Sequence, residues 1–101
     1  MRRAEVLVND VLAGELVDTG NGYDFVYDEE YSGLPVSFTM PLERKEFHFD
    51  SFPPFFEGLL PEGERLESLL RREKLDRSDF FGQLVIVGAD LVGTVTIRKI
   101  S

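Results

Sequence analysis

Glu5-Val6-Leu7-Val8-Asn9-Asp10-Val11-Leu12-Ala13-Gly14-Glu15-Leu16-Val17 is the stretch on which the fold turns. Two valine-rich runs, Glu5–Val8 and Val11–Val17, flank the dipeptide Asn9-Asp10, which reads as a tight turn between two strands. Gly20-Asn21-Gly22 stands between Leu16-Val17 and Tyr23-Asp24-Phe25-Val26-Tyr27. Asn-Gly between strand-like runs is a hairpin signal, because both residues tolerate positive φ. Ser32-Gly33 breaks the pattern, and Val36-Ser37-Phe38-Thr39-Met40 alternates again until Pro41, so residues 36–40 are expected to form the next strand. Turn signals recurring every ~8–12 residues suit an antiparallel meander. In Glu46-Phe47-His48-Phe49-Asp50 the alternation reads as an extended segment with both phenylalanines on one face and His48 on the other.

The second half changes period. Asp50-Ser51 can cap a helix whose first turn holds Pro53 and Pro54, where missing N–H groups cost little. Phe52, Phe55, Phe56, Leu59 and Leu60 follow helical spacing, and Gly58 and Pro61 limit this helix to ~2 turns. Pro61-Glu62-Gly63-Glu64 opens a second helix with Leu66, Leu69 and Leu70 inward and a Glu67-to-Arg71 pair in the favourable i, i+4 order. Phe80, Phe81, Leu84 and Val85 have helical spacing, although Leu84-Val85-Ile86-Val87 alone reads as a strand. A cap at Ser78 favours helix through about Val87. Gly88-Ala89-Asp90 turns the chain, and Gly93–Arg98 is the last strand. The expected fold class is α+β: a small antiparallel β-sheet, a meander plus a C-terminal strand, packed with about three short helices. With 101 residues, 43% hydrophobic and 30% charged, the chain is expected to be one domain spanning 1–101.

Composition excludes several chemistries. There is no cysteine, hence no disulfide, thiolate or cysteine-based metal site. No apolar run approaches the ~20 residues of a membrane helix, and Met1-Arg2-Arg3-Ala4-Glu5-Val6 has no signal-peptide core, so the expected address is the cytoplasm without membrane contact. Net charge is −8, and between Ala4 and Glu43 there are nine acidic residues and no Lys or Arg. Such a surface repels phosphate backbones, which argues against direct nucleic-acid binding. It is either a solvated face that aids solubility or a face steered toward a basic partner. His48 is the only histidine, with no nucleophile placed near it by the sequence, and scattered carboxylates show no metal-ligand spacing. Neither a phosphate-cradling glycine motif nor a kinase His-Arg-Asp or Asp-Phe-Gly is present. No catalytic residue, cofactor or metal ligand is therefore assigned. The Leu59-Leu60-Pro61-Glu62-Gly63-Glu64 turn belongs at the surface, either as a protruding contact or as an ordinary connector.

The order of these features resembles the N-terminal subdomain of HipA-type serine/threonine kinases. Val8-Asn9-Asp10 with Gly14-Glu15-Leu16 is similar to that subdomain's opening hairpin. Phe25-Val26-Tyr27 followed by Val36-Ser37-Phe38-Thr39-Met40-Pro41-Leu42 resembles its run ending in Ser-x-x-Met/Leu-Pro-Leu. Phe55-Phe56-Glu57-Gly58-Leu59-Leu60-Pro61-Glu62-Gly63 is the most distinctive match. Asp79-Phe80-Phe81-Gly82-Gln83-Leu84 and Gly88-Ala89-Asp90-Leu91-Val92-Gly93-Thr94-Val95 resemble the closing helix, turn and last strand.

The resemblance covers almost the whole chain and implies a role. HipA-type toxins continue into a kinase core with ATP and magnesium sites, and those parts are missing here. Either the chain is a piece of a longer kinase, or it resembles the free-standing HipS antitoxins of HipBST toxin–antitoxin systems. The start at Met1 and the end just after a strand favour the second expectation. In those systems the small protein neutralises HipT, a kinase lacking this subdomain, and HipB is the helix-turn-helix DNA-binding partner. The resemblance thus implies a non-catalytic antitoxin that binds a HipA/HipT-like kinase through Leu59, Leu60, Pro61, Glu62, Gly63, Glu64 and Arg65, within a complex that can include a HipB-like repressor. A module that assists kinase–repressor assembly on DNA without inhibition is the alternative. One departure stands out: where the family often carries a bulky aromatic after the turn, this chain has Glu64 and Arg65, and it has no Trp at all.

Overall fold

The computed structural model describes residues 1–91 and 93–100. Valines and aromatics alternate with polar residues along five strands, and the chain zips them up in sequence: β1 Arg2–Val8, β2 Val11–Asp18, β3 Tyr23–Tyr27, β4 Glu46–Phe49 and β5 Val95–Lys99. The spatial order is β4-β3-β2-β1-β5, every neighbouring pair antiparallel. The expected meander with a returning C-terminal strand is therefore the observed sheet. Asn9 and Asp10 both adopt the left-handed conformation, with φ of 50° and 66°, which gives the two-residue loop the twist of its flanking strands. In the next hairpin Gly20 and Gly22, rather than Asn21, take positive φ, and the Thr19 N–H closes the turn onto the Gly22 carbonyl at 3.1 Å.

One expected strand is absent. Residues 36–40 form a tight turn bridged between Ser37 and Met40, and the fourth strand of the meander is Glu46–Phe49 instead. The apolar alternation at 36–40 is real, but it serves to bury Val36 and Met40 beneath the loop. Tyr27 explains why. Its hydroxyl, in the core, donates to the Met40 carbonyl at 2.5 Å and accepts from the Val36 N–H at 2.8 Å, taking backbone groups that a strand partner would otherwise satisfy. Desolvation pushes the Tyr27 phenol above its ordinary pKa, only partly offset by the Val36 N–H, so the donor stays protonated.

Three helices follow in the second half: α1 Pro54–Glu57, α2 Gly63–Glu73 and α3 Phe80–Val87, with a 3₁₀ turn at Gly88–Asp90, and α1 and α3 share the core cluster with the sheet. α1 is one turn, shorter than its apolar stripe suggests, and starts after Pro53 with no side-chain cap from Asp50 or Ser51. α3 is capped by Asp79, not Ser78; the Asp79 carboxylate accepts from the Gly82 N–H at 3.0 Å. The predicted Glu67–Arg71 pair gives way to a two-pronged bridge from Arg77 to Glu67, at 2.7 and 2.8 Å, which folds the connector after α2 back onto the helix. Of the three inward leucines of α2, Leu69 is buried and Leu66 and Leu70 are half-buried. The final strand begins at Val95, because Gly93 sits at a φ of 112° that ends the turn rather than extending the sheet.

The core is aromatic. Phe25, Leu16, Phe56, Phe81 and Leu84 are fully buried, with the Phe25 ring tilted against Phe56 at 6.0 Å and edge-on to Tyr27 at 4.8 Å. Gly14, paired with Tyr27 across the ladder, leaves room for the Phe25 ring; a Cβ there would lie 3.0 Å from its edge and closer still to the Val26 carbonyl. Gln83 is the one buried polar side chain among the described residues, 1% exposed, and its amide donates to the carbonyls of Asp76 (3.2 Å) and Arg77 (3.0 Å). It thereby holds the α2–α3 connector. Gln83→Leu should cost about 1–3 kcal/mol in chemical denaturation, since two carbonyls lose a buried donor. A midpoint matching wild type would mean that water replaces the amide.

Candidate functional site

The turn singled out from sequence is built by the end of α1 and the start of α2. Leu59 and Leu60 continue the α1 spiral, donating to the carbonyls of Phe56 and Glu57, both at 3.1 Å. Pro61 then stops it, Glu62 is extended at φ −130°, and Gly63 opens α2 at φ +59°. This conformation splits the seven residues. Leu59, Leu60 and Pro61 are half-buried, the two leucines against the core, whereas Glu62, Gly63, Glu64 and Arg65 are exposed. The leucines are thus a platform, and the solvent-facing tip is charged.

Beside the tip lies an open groove of about 830 Å³ that the sequence does not reveal, because its far wall comes from α3 and the 3₁₀ turn. Leu59 and Leu60 meet Ile86 and Leu91 across it, and Ile86 is 40% exposed. Arg65, Arg71 and Arg72 also line it. Arg72 pairs with its neighbour Glu73 at 3.2 Å, while Arg65 and Arg71 have no carboxylate within bridging distance among the described residues. Glu64 and Asp90 line it too, so the groove joins apolar side chains to three arginines and two carboxylates in a molecule of net charge −8.

The acidic sheet is altered by the fold. Each carboxylate on β1 and β2 meets a cation: Arg3 bridges Glu15 at 2.9 Å, Arg98 donates to Glu5 at 2.7 Å, and Arg2 joins Asp18 at 2.8 Å while also reaching Asp79, before α3, at 2.9 Å. Glu5 and Glu15 face each other directly across β1 and β2, so these arginines also relieve a like-charge pair. Desolvation raises the Asp18 carboxyl, but hydrogen bonds from Arg2 and the Gly20 N–H, with the Arg2 charge, outweigh it and leave the group below the ordinary range. Asp28, Glu29, Glu30 and Glu43 have no cationic partner within 4.0 Å among the described residues, so unpaired carboxylates outnumber the one unbridged lysine, Lys45, in the loop between β3 and β4.

His48 lies on β4 opposite Asp24, its Nδ1 2.6 Å from that carboxylate and its Nε2 3.2 Å from Asp50. The Asp24 hydrogen bond holds its pKa above the ordinary 6.5 against desolvation, with a lesser contribution from the Asp50 hydrogen bond and from both carboxylate charges. No third ligand completes a metal set among the described residues, and the imidazole is a strand-to-strand latch. Because the folded pKa is raised, its contribution to stability is full below about pH 6.5 and fades as pH rises through the folded pKa. An NMR titration should place the His48 pKa above 6.5, and Asp24→Asn should lower it; no change in Asp24→Asn would remove the latch.

The antiparallel sheet packed with short helices has its counterpart in the N-terminal domain of HipA. The sequence profile of that family, the HipA N-terminal domain, matches residues 4–98. The chain belongs to this family. It is similar to an uncharacterized protein of Haemophilus influenzae (strain Rd), with 31% identity over 99 residues, covering 98% of this chain and 93% of the relative. Among solved structures it is similar to the N-terminal domain of the HipA toxin, with a TM-score of 0.81 and 27% identity over 100% of this chain and 94% of that one. No described helix is long and apolar enough to cross a membrane.

Proposed function

We propose that this protein is a HipS-like antitoxin that docks on a HipA/HipT-like serine/threonine kinase and holds it inactive, without chemistry of its own. The observation that carries the reading is the match to the HipA N-terminal domain over nearly the full length of the chain. In this reading the charged tip Glu62–Arg65 and the groove beside it face the kinase. The half-buried Leu59 and Leu60 supply apolar contact, and Arg65 with Arg71 supplies charge. A specific interface of this kind buries on the order of 800 Å² per partner. With Glu64 and Arg65 at the tip and no aromatic there, inhibition in this reading works either by charged contact of these two side chains with the kinase or by docking that holds the kinase in an inactive arrangement.

Analytical ultracentrifugation with a HipA-type kinase lacking this subdomain should give a stable complex. Separate sedimentation at micromolar concentration would end the reading. A HipB-like repressor is expected to join through the kinase, and the cytoplasm is the expected address. If the chain instead only assists assembly on DNA, adding it to kinase and repressor will change operator affinity and leave phosphorylation untouched.

A further inference from the structure

We infer that Phe38 is a second docking anchor, apart from the Glu62–Arg65 tip, and that it enters a ring-sized apolar pocket framed by cationic groups on the partner. Phe38 is 100% exposed, and Leu34 in the same loop is 69% exposed. A lone surface phenylalanine would need no account on a floppy loop. This one is held rigidly. The Met40 N–H donates to the Ser37 carbonyl at 3.0 Å, which makes Phe38 an internal residue of a closed turn. The Ser37 hydroxyl accepts from the Thr39 N–H at 3.2 Å and meets the Thr39 hydroxyl at 3.0 Å, bracing the turn from within. Below it, Val36 and Met40 are buried, and the Tyr27 hydroxyl bonds to the backbone of both.

A core tyrosine thus fixes the two legs of a turn whose tip is an unburied aromatic ring. Presenting a ring on a pre-ordered support lowers the ordering cost of association, the property that distinguishes binding anchors from incidental apolar residues. The charge around it selects the partner. The loop between β3 and β4 carries four carboxylates, Asp28, Glu29, Glu30 and Glu43, against two cations at its far end, Arg44 and the exposed Lys45. Arg44 is engaged, donating to the Glu46 carbonyl at 3.0 Å and lying 5.2 Å over the Phe47 ring. A second copy meeting this one loop to loop would bring the same carboxylates against themselves, so a basic surface with an apolar pocket is the complementary occupant.

The inference rests on the kinase-docking reading, and a HipA-type kinase lacking this subdomain is the probe. Affinity is measured for wild type, Phe38→Ser, Phe38→Trp and the exposed pair Glu29→Lys with Glu30→Lys. Phe38→Ser is expected to bind about 30-fold more weakly, the scale of an aromatic hot spot. Its melting midpoint should be unchanged, because the ring touches no core. Phe38→Trp should recover most of the affinity, and the lysine pair should slow association at low salt. Wild-type binding with Phe38→Ser equally tight overturns the anchor and leaves the docking reading standing. An unaffected lysine pair overturns the cationic frame. Failure of wild type itself to bind overturns both.

Discussion

Phe25→Ala should lower the unfolding free energy by about 3–5 kcal/mol, a large share of what a domain of this size has. In a thermal melt that corresponds to a fall of more than ~12 °C. The ring is fully buried and is the contact between sheet and helices: it lies edge-on to Tyr27 and tilted on Phe56, over the space that Gly14 leaves in the neighbouring strand. Gly14→Val should damage the same spot from the other side, because the added carbon meets the Val26 carbonyl and the Phe25 ring. Glu46→Ala, on the exposed side of β4, is the control and should stay within ~0.5 kcal/mol. If Phe25→Ala melted with the wild type, the aromatic cluster would not be the centre of the fold.

Arg65→Glu should weaken binding to a HipA-type kinase by at least ~10-fold while leaving the melting midpoint in place. Arg65 is exposed, lines the groove and has no carboxylate within bridging distance among the described residues, so its loss disturbs no internal pair. Leu59→Ala and Leu60→Ala test the same surface less cleanly, since both side chains also pack on the core. Calorimetric titration decides. An Arg65→Glu protein that binds as tightly as wild type would move the contact away from the Glu62–Arg65 tip.

The strands were readable because two-residue turns and alternation are local. Asn9-Asp10 and Gly20-Asn21-Gly22 lie where hairpins need left-handed backbone, and the order of the sheet follows. Residues 36–40 misled for a non-local reason: their alternation is that of a strand, but Tyr27, from a different strand, takes the backbone groups at Val36 and Met40. The Asp79 cap was hidden behind Ser78, which has the same propensity one residue earlier. The turn from Leu59 to Arg65 was legible from its proline and glycine, but its groove was not, since Ile86 and Leu91 reach it only through packing. Arg2, Asp18 and Asp79 form a junction across three elements that no spacing announces. The acidic first half looked like an acidic sheet. The fold instead pairs the carboxylates of β1 and β2 with Arg2, Arg3 and Arg98 and leaves four unpaired carboxylates in the loop that carries Phe38.

What remains is to ask the kinase itself. The initial rate of autophosphorylation of a HipA-type kinase lacking this subdomain is followed with and without saturating amounts of the protein. Docking that locks the enzyme predicts a rate at least ~10-fold lower, restored when Arg65→Glu is used at the same concentration. An unchanged rate in the presence of a demonstrated complex would contradict it.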